Sequence, residues 1–295
     1  MRFDKQMILK SKHAMSTNDL KPKKSLGQHF LHSPSALSKI IDAAKITAGE
    51  TVLEIGPGTG ILTEALLATG AQVIAIEKDE RAYEVLAQKF AKEIAEKKLT
   101  LLIEDILNWP PPLKEGKYAL VANIPYYITG AILEKFLEHT PRPNRMVLLV
   151  QKEVAERIIA RNKKESVLSI SVKAFGTPRI AAIVPRGAFV PAPNVDSAIL
   201  EISDISADSF AKIMKNGDST ANIRRFFDIV RTGFAHKRKF ARRNLENLEE
   251  KTAGTGKMIS REKLDQIWQK NGLEEKVRPE DMTVENWLKI LASSC

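Results

Sequence analysis

Glu54-Ile55-Gly56-Pro57-Gly58-Thr59-Gly60 is the stretch on which the reading of this chain turns. A short branched run, Thr51 to Ile55, leads into it, and a helical pattern from Leu62 to Ala68 follows. The glycines therefore sit in a strand-to-helix turn, where lack of a Cβ lets the backbone reverse sharply and approach a ligand. The spacing is Gly-x-Gly-x-Gly, and Ile61 stands where a dinucleotide fingerprint places its third glycine. That argues against NAD(P), whose pyrophosphate rests on a Gly-x-Gly-x-x-Gly turn. Taken alone, the loop is also consistent with a plain tight connection.

Working outward, strand-like runs alternate with helical patterns. Upstream, Leu37, Ile40 and Ile41 recur at helical spacing between Ser35 and Ala44. Downstream come Val73–Ile76, a helical stretch over about 80–97, Leu99–Ile103, Ala119–Ala122, a helix over Ala131–Glu138, and Met146–Val150. Continuous apolar strands separated by helices predict an α/β, Rossmann-like parallel sheet covered by helices on both faces. The pattern continues with a helix over Glu153–Ala160, a strand-like run over Val167–Phe175, and extended pieces at Ile180–Val184 and Ser197–Ile202. A proline-rich loop from Pro185 to Pro193 separates the last two. After about 203 only helical patterns remain, interrupted by Thr252-Ala253-Gly254-Thr255-Gly256. The expected organisation is a basic, mobile extension over 1–20, a catalytic domain over 21–202 and a small helical domain over 203–295.

Three carboxylates follow three successive strands. Glu77 ends the second strand 21 residues after Gly56, where an acidic side chain is placed to accept both hydroxyls of a ribose. Asp79 suits the start of the next helix better, as its N-cap. Asp105 follows the third strand and is placed to accept the exocyclic amine of an adenine. Together they describe a nucleoside crevice, and a nucleoside without pyrophosphate points to S-adenosylmethionine.

The fourth strand ends in Asn123-Ile124-Pro125-Tyr126-Tyr127, the most specific motif in the chain. An aromatic amine is a poor nucleophile because its lone pair is delocalised into the ring. Acceptors that take both N–H bonds favour a more tetrahedral, more nucleophilic nitrogen. The Asn123 side-chain oxygen and the Ile124 carbonyl are the expected acceptors, with Pro125 setting the turn and Tyr126 stacking on the base. Phe189, in the loop Phe189-Val190-Pro191-Ala192-Pro193-Asn194-Val195-Asp196-Ser197, is either a second stacking face or a core anchor. Gln28-His29-Phe30-Leu31 precedes a helix start at Ser33-Pro34. His29 has no neighbouring His or Cys in a metal-binding pattern, and no metal is expected.

The chain has 295 residues and a formal net charge of +10, with the composition of an ordinary globular protein. Its single cysteine, Cys295, excludes disulfides and multi-cysteine metal sites. With no apolar run of membrane-spanning length and no secretory leader, the chain reads as soluble and cytoplasmic. The positive charge is concentrated. Residues 1–24 hold seven Lys/Arg against two Asp, and residues 222–243 hold eight against one. Such segments point to a polyanionic partner. In the second segment Ile223, Phe226, Phe227, Val230 and Phe234 recur at helical spacing and are expected in the core. Arg224, Arg231, Lys237, Arg238, Lys239, Arg242 and Arg243 are left as candidate phosphate contacts.

Taken together, these residues resemble the small-subunit ribosomal RNA adenine dimethyltransferases of the KsgA (RsmA) type, over about residues 21–290. The resemblance rests on Leu26-Gly27-Gln28-His29-Phe30-Leu31, the Glu54–Gly60 loop, Asn123-Ile124-Pro125-Tyr126, Gln151-Lys152-Glu153-Val154 and Phe189 to Ser197. Phe234-Ala235-His236-Lys237-Arg238-Lys239 and Arg278-Pro279-Glu280 also match. It implies an S-adenosylmethionine-dependent enzyme that converts two adjacent adenines near the 3′ end of small-subunit rRNA to N6,N6-dimethyladenine, late in subunit assembly. It further implies that His29, Leu31, Gly56, Gly58, Glu77, Asp105 and Asn123 bind the cofactor. Two alternatives stand beside it: a large-subunit adenine methyltransferase of the antibiotic-resistance type, and a non-catalytic assembly or nucleic-acid-binding factor on the same fold. A monomer is the default expectation.

Overall fold

The computed structural model describes residues 20–23, 26–110, 112–213, 219–236, 238–246, 248 and 259–294. The basic extension apart from Leu20, Lys237 and the Thr252–Gly256 break lie outside the described residues.

A two-residue strand, β1 (Phe30–Leu31), is followed by α1 (Pro34–Ala44), whose start is the one the sequence marks. Ser33 caps it, accepting from the Ala36 N–H, and Pro34 occupies the first turn. Next come β2 (Thr51–Ile55), α2 (Ile61–Ala68), β3 (Gln72–Glu77), α3 (Glu80–Lys89), α4 (Ala91–Ala95), β4 (Leu99–Ile103) and β5 (Tyr118–Asn123). Asp79 is indeed the N-cap of α3, accepting from the Arg81 N–H. Then follow α5 (Thr129–Glu138), β6 (Arg145–Gln151), α6 (Lys152–Ile158), α7 (Val167–Lys173), β7 (Thr177–Val184), β8 (Phe189–Val190) and β9 (Ser197–Ser203). The remaining described chain is helical: α8 (Asp208–Ala211), α9 (Ser219–Gly233), α10 (Ala241–Leu245), α11 (Arg261–Asn271) and α12 (Val284–Ser294).

Among these residues the main sheet has seven strands in the order β4-β3-β2-β5-β6-β9-β7. The five from β4 to β6 run parallel, and β9 and β7 add an antiparallel edge. Successive strand residues face opposite sides. Val52, Val73, Val121 and Val147 pack with Ile40 of α1 and Leu66 of α2. Leu53, Leu120 and Leu148 pack with Ile132 and Phe136 of α5. After β4 the chain crosses back to place β5 on the other side of β2, so strand order reverses between β2 and β5. In such sheets ligands bind in the crevice beyond the carboxyl ends of the strands at that reversal. The Gly loop leaves β2 there, and Asn123 ends β5.

One element differs from its sequence pattern. The run Val167–Phe175 is not a strand; Val167–Lys173 is helix α7. Its β-branched residues favour a strand, but Ser166 and Ser169 form a reciprocal capping box that starts a helix. Ile170 and Val172 then bury against α9 and the sheet.

The helical part is not set apart from the sheet. Phe175, Phe210, Phe226 and Phe227 stack edge and face at centroid distances of 5.1–6.2 Å and belong to the same apolar cluster as β5 and β6. Ile223, Phe226, Phe227, Val230 and Phe234 are all buried, as their spacing predicts. At the end of α9, a Cβ on Gly233 would lie 2.3 Å from the Trp287 ring of α12. Gly233→Ala is therefore expected to lower stability by about 2 kcal/mol through overpacking. Thermal denaturation checks this, and an unchanged midpoint would mean that Trp287 yields without cost.

Candidate active site

The crevice at the strand-order reversal is lined by three segments that the sequence keeps far apart: Leu26–Leu31, the Gly loop with Glu77 and Asp105, and Asn123–Ile128. The glycines of the loop carry positive φ, +67° at Gly56 and +57° at Gly58. At Gly58 a Cβ would lie 3.1 Å from the Phe30 ring, so only glycine lets β1 close down over the loop. Phe30 is held there by the pairing of β1 with β8, in register Phe30↔Val190 and Leu31↔Phe189. That two-strand clasp was invisible in the sequence, because its partners are 158 or more residues apart and each strand is only two residues long.

Glu77 is buried and accepts three backbone N–H bonds, from Gly58 at 3.1 Å, Lys78 at 2.8 Å and Asp79 at 2.9 Å. Burial pushes its carboxyl up, and the three donors pull against that. The carboxylate thus holds the Gly loop to the end of β3. Asp105 accepts the Leu107 N–H at 3.0 Å and pairs with the Lys78 ammonium at 2.7 Å, a partner that holds its carboxyl below the usual range. Asp79 anchors Lys23, Gln28 and Arg81. Burial alone would raise its carboxyl, but the Arg81 and Gln28 donors and the Arg81 and Lys23 charges bring it down to about 2.

Sequence reasoning missed Glu54. The side chain is fully buried and lines the crevice; the Thr63 hydroxyl beside it favours its charged form, and it has no ion-pair partner among the described residues. Burial raises this carboxyl to about 8. A buried carboxyl with no counter-charge is costly in its ionised form and is stabilised by a proton or by a cation brought beside it. Its position at the head of the Gly loop was the available signal, overlooked because a mid-strand carboxylate reads as part of the turn motif.

On the β5 side, the Asn123 Nδ2 donates to the His29 carbonyl at 3.2 Å, which leaves Oδ1 as the acceptor facing the crevice. His29 Nδ1 in turn donates to the Pro191 carbonyl at 2.7 Å, and its ring stacks on Tyr126 at 5.9 Å. The Tyr126 hydroxyl pairs with Ser197 Oγ at 2.7 Å, so this ring is held at both ends. Ser197 is a second residue the sequence did not single out. Ile124 is buried and pins the turn. Leu31 also lines the crevice. Phe189 does not: it is 2% exposed, packed with Leu31 and Ala188 beneath the clasp. Of its two readings the structure takes the core anchor, because pairing in β8 turns the ring away from the opening.

Of the seven candidate phosphate contacts, Arg224, Arg238, Lys239 and Arg243 are exposed and have no ion-pair partner among the described residues. Arg231 faces Glu138 at 3.7 Å and covers the Phe227 ring, and Arg242 pairs with Asp265 and Glu246. Both are engaged within the fold, which reduces the free charge of the segment. Arg225 is buried.

Glu77→Ala is expected to weaken affinity for S-adenosylmethionine at least tenfold, since a charged acceptor and the anchor of the Gly loop are lost together. Calorimetry at a temperature where both proteins are folded checks this, and unchanged affinity would refute the assignment.

The sequence profile of the family "Ribosomal RNA adenine dimethylase" matches residues 19–290. The chain is 38% identical over 284 residues to the ribosomal RNA small subunit methyltransferase A of Dehalococcoides mccartyi, covering 95% of this chain and 91% of that one. It is 34% identical to the protein of the same name from Lactobacillus helveticus, covering 92% and 90%. Among solved structures, a dimethyladenosine transferase from Plasmodium falciparum superposes with a TM-score of 0.72 at 28% identity, covering 89% of this chain and 96% of that one. The 23S rRNA methyltransferase ErmE superposes with a TM-score of 0.67 at 22% identity, covering 90% and 99%, a likeness of fold. With a profile match spanning nearly its whole length and a crevice built from the residues that the match contains, the chain belongs to the ribosomal RNA adenine dimethylase family.

Proposed function

We propose that the protein uses S-adenosylmethionine to dimethylate N6 of two adjacent adenines near the 3′ end of small-subunit ribosomal RNA, acting on the assembling subunit. The observation that carries this reading is the locked Asn123 amide: with Nδ2 committed to the His29 carbonyl, Oδ1 is presented as an acceptor beside a ring, Tyr126, that is itself immobilised.

The crevice fits the cofactor on its own features. The buried Glu54 carboxyl, which lacks a counter-charge, matches the α-ammonium, the Gly56–Gly58 backbone gives close approach, Glu77 retains lone pairs for the ribose hydroxyls, and Asp105 suits the adenine amine. When bound, S-adenosylmethionine supplies an electrophilic sulfonium methyl. Asn123 Oδ1 and the Ile124 carbonyl accept the two N–H bonds of the target amine, drawing the nitrogen toward a tetrahedral geometry and aiming its lone pair into the crevice. Tyr126 orients the base plane by stacking. After transfer the methylated nitrogen loses one of its N–H protons to solvent, since neither amide oxygen is basic enough to take it. His29 is not available as a base at Nδ1, which is committed to Pro191. Arg224, Arg238, Lys239 and Arg243 supply phosphate contacts away from the crevice.

The test is methyl transfer from labelled S-adenosylmethionine to small subunits lacking the modification, with large subunits and naked rRNA in parallel, and identification of the product nucleoside by mass. Dimethyladenine from small subunits alone is expected. Label on large-subunit RNA would move the protein to the resistance-type activity. No label, with cofactor binding intact, would leave a binding role only.

A further inference from the structure

Tyr127 is the next residue after Tyr126 on the same 3-10 turn, yet its surroundings are opposite. Tyr126 is gripped by Ser197 and His29, whereas Tyr127 is 68% exposed, with neither a ring partner nor a hydrogen bond among the described residues. It still lines the mouth of the crevice. One edge of the ring, Cδ1 and Cε1, rests against Gly27, where a Cβ would lie within 3.3–3.4 Å. Gly27 carries a φ of +59°, so the position favours glycine twice over, by backbone and by space. The ring is thus located by its edge while much of its surface faces solvent. On β8, Val190 is 56% exposed and paired through its backbone with Phe30. Lys78, paired with Asp105, adds a cation at the same rim.

A large aromatic surface left open at the lip of a site calls for a partner that arrives with the substrate. An adenine entering the crevice leaves its stack and strips one face from its neighbour. The lip is where that neighbour waits, and an aromatic ring offers it a replacement face without regard to sequence. We propose that Tyr127 is the stacking platform for the nucleotide adjacent to the target adenine, holding it while the target occupies Asn123. This rests on the rRNA-methylating reading above. Where two neighbouring adenines are modified in turn, the platform keeps the second one at the opening.

The test compares Tyr127→Leu, which keeps apolar bulk without a ring, with Tyr127→Phe, using unmethylated small subunits and S-adenosylmethionine. Tyr127→Leu is expected to raise KM for the subunit about tenfold, the scale of one lost base stack. Tyr127→Phe should stay within twofold of wild type, and cofactor affinity by calorimetry should be unchanged in both. With p-azidophenylalanine substituted for Tyr127, photolysis should cross-link to the nucleotide beside the methylated adenine. An unchanged KM in Tyr127→Leu, an equal loss in Tyr127→Phe, or a cross-link to a ribosomal protein would each overturn the assignment. Failure of the wild-type protein to methylate small subunits would instead strike the broader reading on which it rests.

Discussion

Alanine in place of Asn123 is expected to slow methyl transfer to small subunits by about two to three orders of magnitude, the usual effect of deleting one preorganised group at the reacting atoms. Affinity for S-adenosylmethionine should change only a few fold. Two bonds are lost in this variant, and they have different consequences. The Nδ2 bond to the His29 carbonyl holds the Leu26–Leu31 segment against the end of β5, and its net worth is about 1 kcal/mol. Of the two acceptors proposed for the target amine, the Ile124 carbonyl then remains, and on its own it can accept only one of the two N–H bonds. Asn123→Asp separates the two effects. It keeps an acceptor but faces the His29 carbonyl with a second oxygen, so the side chain must turn away. Single-turnover rates with saturating cofactor check this, and rates within fivefold of wild type in Asn123→Ala would remove Asn123 from the reaction.

The second large effect concerns pH. Burial raises the Glu54 carboxyl to about 8 against the lowering hydrogen bond of Thr63, and the neighbouring Glu77 adds to the rise, so the carboxyl is expected to carry a proton at neutral pH before the cofactor binds. Pairing with the cofactor ammonium requires the carboxylate. Binding should therefore release close to one proton at pH 7, and affinity should rise with pH below about 8 and fall above it as the cofactor's own ammonium loses its proton. Calorimetry in buffers of different ionisation enthalpy reads the proton directly. Glu54→Gln should abolish the release, and 5′-methylthioadenosine, which lacks the amino-acid end, should show none with the wild-type protein. Proton release with methylthioadenosine equal to that with S-adenosylmethionine would assign the titration to another group. Stability follows the same linkage. A folded pKa raised above the unfolded value gives a contribution present at pH 4 and lost as pH rises through about 8. Glu54→Gln should thus match wild type at pH 4 and exceed it at pH 9, by on the order of 3 kcal/mol.

Much of the crevice was legible in the sequence because its chemistry is carried by strand ends. Gly56, Glu77, Asp105 and Asn123 each follow a short apolar run, and a parallel sheet gathers such ends along one edge. What escaped were features that depend on distant partners. The β1–β8 clasp joins two dipeptides with no strand signal of their own, and it is this pairing that decides the fate of Phe189. Ser197 meets Tyr126 across 71 residues. Helix α7 was misread because β-branched content outweighed a serine capping box in the pattern, whereas in the fold the box and the buried face of Ile170 and Val172 prevail. The basic segment was legible in composition only. Which of its arginines remain free depends on Glu138, Glu246 and Asp265, carboxylates whose proximity no spacing rule reveals.

The aromatic seam from Phe175 through Phe210 to Phe226 and Phe227 has a consequence for how a substrate is chosen. Since α9 shares its interior with the sheet, the span from the free arginines to Asn123 behaves as the opening of a caliper. Such an instrument selects by dimension. On the proposed function, an RNA would present its adenine only where its folded backbone places phosphates at the matching separation from Asn123.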